Sequence, residues 1–166
     1  MLKKSIFFLT ICSLLAFQKM SSDEQKIKKE INQLLDNWHM AAGESNFNAY
    51  FDVLSESSIY IGTDANENWT KGEFMAFAKP YFAKKKGWNF KAIERNIYLS
   101  PDKKIVWFDE LLDTQMKICR GSGIISKENG KWKIQHYVLS MTIPNENVEE
   151  VVKIKSPLED KILREK

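Results

Sequence analysis

The stretch from Lys104 to Asn145 constrains this chain most, because it reads as three consecutive antiparallel strands. Lys104–Leu112 is rich in β-branched and aromatic residues, Met116–Ser126 follows a three-residue connection, and Lys131–Met141 comes after Lys127-Glu128-Asn129-Gly130. Asn-Gly between two such runs is a strong hairpin signal, since both residues tolerate the positive φ of a tight turn. Pro144 closes the sheet, having no N–H to give a ladder. The charged residues in this apolar stretch are out of place. Asp109 and Glu110 lie between Phe108 and Leu111, and Arg120 and His136 interrupt otherwise apolar strands. Adjacent strand residues face opposite ways, so at least one of the two acids is expected inside, where it needs a partner.

Upstream, helical periodicity dominates. Ser22-x-x-Gln25 resembles a capping box, and Ile27, Ile31, Leu34, Leu35 and Trp38 then recur at helical spacing up to about Ala42, with Gly43 beyond. A short second helix is expected over Asn46–Leu54, a strand over Ser57–Thr63, and a polar turn over Asp64–Asn68. Thr70-x-x-Glu73 opens a third helix with Phe74, Phe77, Ala78, Tyr81 and Phe82 on one face; Pro80 predicts a kink or break in it. Trp88–Leu99 reads as a long strand whose apolar phase shifts midway, the mark of a bulge. After Asn145 the chain is a charged tail, expected to dock as a short helix and to fray from Ser156-Pro157 onward. Helices ahead of an antiparallel meander define an α+β class, in which the helices cover one face of a curved sheet.

The first 22 residues read as a secretory leader rather than as part of the domain. Met1-Leu2-Lys3-Lys4 is a short basic start, and Ser5–Phe17 is apolar apart from Ser5, Thr10 and Ser13. That run is shorter than the roughly 20 residues a bilayer span needs. Leu9-Thr10-Ile11-Cys12 faintly resembles a lipoprotein box, but Ile11 is bulky for its position, so plain export is favoured over lipid anchoring at Cys12. Export also changes the charge balance. Lys3, Lys4 and Lys19 are three of the 25 basic residues and no acid precedes Asp23, so the remainder carries 22 charges of each sign. That balance gives no support to a nucleic-acid or membrane partner. Cys119 then stands alone among Ile118, Ile124 and Ile125, as a buried structural thiol would.

At this point the chain resembles a known family. Ile61-Gly62-Thr63-Asp64 with Trp69, Val106-Trp107-Phe108-Asp109-Glu110, Arg120-Gly121-Ser122-Gly123-Ile124, and Trp132-Lys133-Ile134 with Leu139-Ser140 and Pro144-Asn145 look like the SnoaL-like branch of the NTF2-like superfamily. The resemblance spans about residues 24–145, with 23–145 as the domain and 146–166 as a tail. It implies a cone-shaped fold and frequent homodimerisation. It implies no reaction, because the superfamily holds isomerases, cyclases, dehydratases and non-catalytic modules.

The residues narrow the chemistry by subtraction. His39 and His136 have no metal-ligand spacing and Cys119 is single, so neither a metal nor another cofactor is expected. Gly121-Ser122-Gly123 lies within a strand rather than at a phosphate-binding turn. What remains is acid–base chemistry or binding. Asp109 is the leading candidate base, because a carboxylate in an apolar cavity has its pKa raised; Asp64 is second. His136, in phase with Ile134 and Val138, is the expected proton donor or shuttle, and Arg120 or Tyr60 the stabiliser of a developing oxyanion. The plainer alternative is that one acid pairs with Arg120 as a structural ion pair, with the carboxylate pKa then lowered rather than raised. Trp38, Tyr60, Asp64, Trp69, Trp107 and Glu110 are the candidate ligand contacts. The expected ligand is small and partly apolar, with an anionic or carbonyl group oriented by Arg120 and His136. A cofactor-free isomerase, dehydratase or cyclase and a non-catalytic assembly module are the alternatives to simple binding.

Overall fold

The computed structural model describes residues 21–165. The segment read as a leader lies outside the described residues, except that Ser21 and Ser22 already belong to the first helix. Helix α1 (Ser22–Gly43) starts one residue earlier than Ser22-x-x-Gln25 suggests: Ser21 is its N-cap and forms the capping box with Glu24. After α2 (Phe47–Asp52) come strands β1 (Leu54–Ile61) and β2 (Asn68–Thr70), then α3 (Lys71–Ala83), capped by Thr70 and Glu73. Strands β3 (Phe90–Leu99), β4 (Ile105–Thr114), β5 (Lys117–Glu128) and β6 (Lys131–Met141) complete the sheet. The β5–β6 turn has positive φ at both Asn129 and Gly130, as the Asn-Gly pair requires.

The six strands form one sheet in the order β2-β1-β6-β5-β4-β3. The meander is antiparallel, but β1 joins it parallel to β6, which a reading of sequential strands does not anticipate. The polar turn expected over Asp64–Asn68 leads into the short β2, paired with β1. Helix α1 packs on β3 and α3 on β1 and β2, so the helices cover one face of the sheet. The core between them includes Ile31, Leu35, Trp38, Tyr50, Phe74, Leu112 and Ile134.

Three expectations are corrected. Pro80 does not break α3, which runs to Ala83; Ala76, whose carbonyl loses its helical donor, is exposed, so solvent can serve it. The tail does not fray at Ser156-Pro157, because α4 (Val148–Glu165) continues through it. Nor does that helix dock on the domain. Its main contact is with the preceding 3₁₀ turn Asn145–Asn147, and no residue of it is buried. The third correction lies in β6. Its register against β5 shifts so that Ile125 faces Ile134 but Ile124 faces His136. Gln135 is the extra residue, and the bulge reverses the phase behind it. Tyr137 and Leu139 therefore point into the core, while His136 and Val138 point to the outer face.

Candidate functional site

Strand alternation decides between the two acids. In β4 the inward set is Val106, Phe108, Glu110, Leu112 and Thr114, so Glu110 is the interior carboxylate, only 1% exposed. Asp109 sits on the outer face, where it accepts from Asn96 Nδ2 at 3.1 Å. The partners of Glu110 come from three elements. His39, at helical spacing from Ile31 and Leu35 on the buried face of α1, donates from Nε2 to Oε1 at 2.8 Å. Tyr137 Oη donates to the same oxygen at 3.2 Å. Arg95 Nε donates to Oε2 at 2.8 Å. Arg95 faces inward because the bulge foreseen in β3 falls between Ala92 and Glu94, resetting the phase just before it. The far end of that guanidinium is anchored on α1, with Nη1 donating to Asp36 Oδ1 at 2.8 Å and to Asn32 Oδ1 at 3.2 Å. Gly121 makes room for the cluster: a Cβ there would lie 2.1 Å from Tyr137 Oη and 3.1 Å from Glu110 Cγ.

The electrostatics follow from this geometry. Burial by itself raises the pKa of Glu110, but the hydrogen bond and charge of His39, with Arg95 beside them, outweigh it and hold the carboxyl below its usual value. Burial, with the Glu110 charge added, pushes the Tyr137 hydroxyl well above its ordinary value. The cluster is an ionised carboxylate saturated with donors.

A separate cavity of about 140 Å³ opens between α3 and the end of the sheet. Its aromatic wall consists of Tyr60, Trp69, Phe74, Phe77, Trp88 and Phe90. Several of these rings are nearly parallel: Trp69 and Phe74 lie 7° apart in plane, Phe74 and Trp88 6°, Phe77 and Trp88 13°. Gly62, Thr63, Glu67, Gln115, Met116 and Leu139 complete the lining. Glu110 and His39 are not part of it; Phe90, whose ring centroid is 5.5 Å from that of His39, stands between the cavity and the cluster.

The residues singled out from sequence are therefore dispersed. Of the proposed trio, Asp109, Arg120 and His136 all belong to the outer face and none lines the cavity, so an interior Asp109–His136–Arg120 arrangement is corrected. Arg120 is exposed, and the structural partner of the interior acid is Arg95 rather than Arg120. Trp107 is 45% exposed and stacks on Tyr98 at 5.9 Å across the outer face. Asp64 is exposed in the β1–β2 turn, accepting from the Asn66 backbone N–H at 2.9 Å. Trp38 is core, packed against Tyr50 and Tyr137 behind the cavity. Tyr60 and Trp69 do line it. Sequence reasoning missed His39, Arg95 and Tyr137. His39 was legible as the neighbour of Trp38 on a buried helix face; Arg95 and Tyr137 depend on where each bulge falls.

A curved, unclosed sheet with helices over its concave face and a cavity at the open end is an NTF2-like cone. The SnoaL-like domain model matches residues 31–144, and the chain belongs to that family. An NTF2-like protein of unknown function from Pseudomonas putida KT2440 is similar at TM-score 0.62 and 13% identity, over 74% of this chain and 92% of that one. The association domain of C. elegans CaMKII matches at TM-score 0.60 and 17% identity, over 73% and 100%. An NTF2-like protein from Streptomyces avermitilis, proposed as a dehydratase, matches at TM-score 0.62 and 8% identity, over 72% and 99%. At these identities the likeness is one of fold. No curated protein sequence matches the chain significantly.

Removing the charge of Glu110 strands Arg95 and His39 inside the domain. Glu110→Gln should destabilise the fold by on the order of 3 kcal/mol in urea unfolding at neutral pH. Because the folded pKa of Glu110 is depressed, its contribution is complete above the usual carboxylate value of 4.5 and fades as pH falls below it. The gap between wild type and Glu110→Gln should therefore narrow on acidification through that range.

Proposed function

We propose that this SnoaL-like domain binds a small, compact, largely apolar molecule in the cavity between α3 and the sheet. The aromatic wall carries this reading. It encloses about 140 Å³, and an apolar cavity of about 150 Å³ is enough to hold benzene. Near-parallel rings suit a flat guest, and the few polar groups at the rim are what a binding site uses for orientation. Acid–base catalysis by the interior carboxylate is less well supported. Glu110 has three donors and a lowered pKa, the reverse of a base poised near neutrality, and it lies behind the cavity wall. Phenol, a neutral one-ring probe, should bind by calorimetry. Met116→Trp, which fills the lining from the β4–β5 turn, should abolish that binding, and Asp109→Asn should not change it. Absence of phenol binding to the wild type would overturn the reading.

A second observation favours self-association. Tyr98, Trp107 and Ile124, each more than 40% exposed, lie side by side in register across three strands on the outer face, continued by His136 and Ile59. A row of this kind on an otherwise solvated sheet suits a twofold contact between two copies, as the kinship with an association domain also suggests. The wild type should sediment as a dimer at micromolar concentration and Trp107→Arg as a monomer with phenol binding retained. A monomeric wild type would sink the idea.

The basic start and the apolar Ser5–Phe17 run further support export. Protein recovered from the exported fraction should have an intact mass lacking that run; a mass that includes it would refute cleavage.

A further inference from the structure

None of the residues lining the cavity is Lys, Arg or His, and its one carboxylate is Glu67. That side chain is placed by the turn between β1 and β2. The Gly62 N–H donates to the Glu67 carbonyl at 2.9 Å, and the Asp64 N–H donates to Glu67 Oε2 at 3.1 Å. A Cβ at Gly62 would lie 2.2 Å from Glu67 Oε2. The missing side chain at Gly62 is thus what lets the carboxylate fold back over the end of β1 onto the cavity rim. Its other oxygen, Oε1, has no donor among the described residues. Its charge reaches the wall, since after burial it is one of the influences that raise the Tyr60 hydroxyl above its ordinary pKa. Gln115, also in the lining, accepts at Oε1 from the Asn89 N–H at 3.1 Å and keeps its amide N–H groups as donors.

We propose that the cavity selects a small organic cation, a methylated or protonated amine on a compact apolar body, with Glu67 as its counter-charge. The inference rests on the small-molecule reading above and adds the sign of the ligand's charge. It reverses the anionic group expected from sequence, because Arg120 and His136, which were to hold that group, lie on the other face of the sheet. An anion entering here meets a carboxylate and no cation. A cation meets an unpaired carboxylate oxygen, and each aromatic ring that offers it a face adds attraction. The Gln115 amide can serve an acceptor oxygen near the cationic centre. Glu67 also closes the turn, and a purely structural role is the competing account. Gln at this position separates the two, since its amide oxygen can accept the Asp64 N–H while carrying no charge.

The test compares choline with its uncharged isostere 3,3-dimethylbutan-1-ol, titrated against the full chain by NMR at low ionic strength. Choline should bind about tenfold more tightly than the isostere, and benzoate should not compete. Glu67→Gln should abolish choline's advantage over the isostere and keep the wild-type unfolding midpoint. Should that variant not fold, salt gives the same reading on the wild type: raising it from about 10 mM to about 500 mM should erode only choline's advantage. Equal binding of choline and isostere overturns the cation assignment and leaves the cavity reading standing. Tighter binding of benzoate, or an undiminished choline advantage in Glu67→Gln, also overturns the assignment. Failure of choline, isostere and phenol alike defeats both.

Discussion

A carboxylate sealed from water must be matched by donors, and Glu110 imposes that condition on four elements at once. Strand β4 delivers it inward by simple alternation. Everything else is arranged to meet it: a bulge in β3 turns Arg95 to the same face, α1 brings His39, and a second bulge in β6 brings Tyr137. Asn32 and Asp36 then hold the other end of Arg95, so the same ionic chain ties α1 to the edge of the sheet. A helix docked only through apolar contacts could slide along its groove. One fixed by directional bonds at Asn32, Asp36 and His39 has a single register.

The cone is thereby divided into two compartments of different character. One is polar, closed and filled, with its hydrogen bonds directed mostly at one carboxylate. The other is aromatic and open, with its polar groups confined to the rim. The division keeps the ionic cluster, which ties α1 to the sheet, apart from the cavity. Glu110, His39 and Arg95 lie outside the cavity lining, whose one carboxylate is Glu67, so nothing in the saturated cluster needs to move when the cavity fills.

The fold was legible where local chemistry is decisive. The Asn129-Gly130 turn, the Thr70–Glu73 capping box and the interrupted phase of β3 each specify their geometry within a few residues. The family pattern, from Ile61-Gly62-Thr63-Asp64 and Trp69 through the last three strands, extended this to the whole cone. The site was much less legible, because face assignment in a strand depends on every bulge before it. One added residue at Gln135 exchanged His136 for Tyr137 at the core, and nothing local to that strand announces it. Arg95 shows the converse: the bulge was visible, but its consequence for a charged side chain two residues on required the register of β4. The parallel β1–β6 contact joins segments that share no sequence signal, so it could not be read from periodicity.

That parallel contact shapes how the chain can acquire its structure. Among the described residues, β6 is the last strand in the sequence and the only one that links β1 and β2 to the rest of the sheet. Until it exists, α3 and the short β1–β2 pair hold Trp69 and Phe74 without a floor, while β3, β4 and β5 can already zip locally. The parallel β1–β6 pairing closes a long loop, and long loops carry the larger closure entropy. A chain that stops before Lys131 lacks the strand that joins the β2-β1 pair to β5-β4-β3, so those two parts of the sheet have no ladder between them.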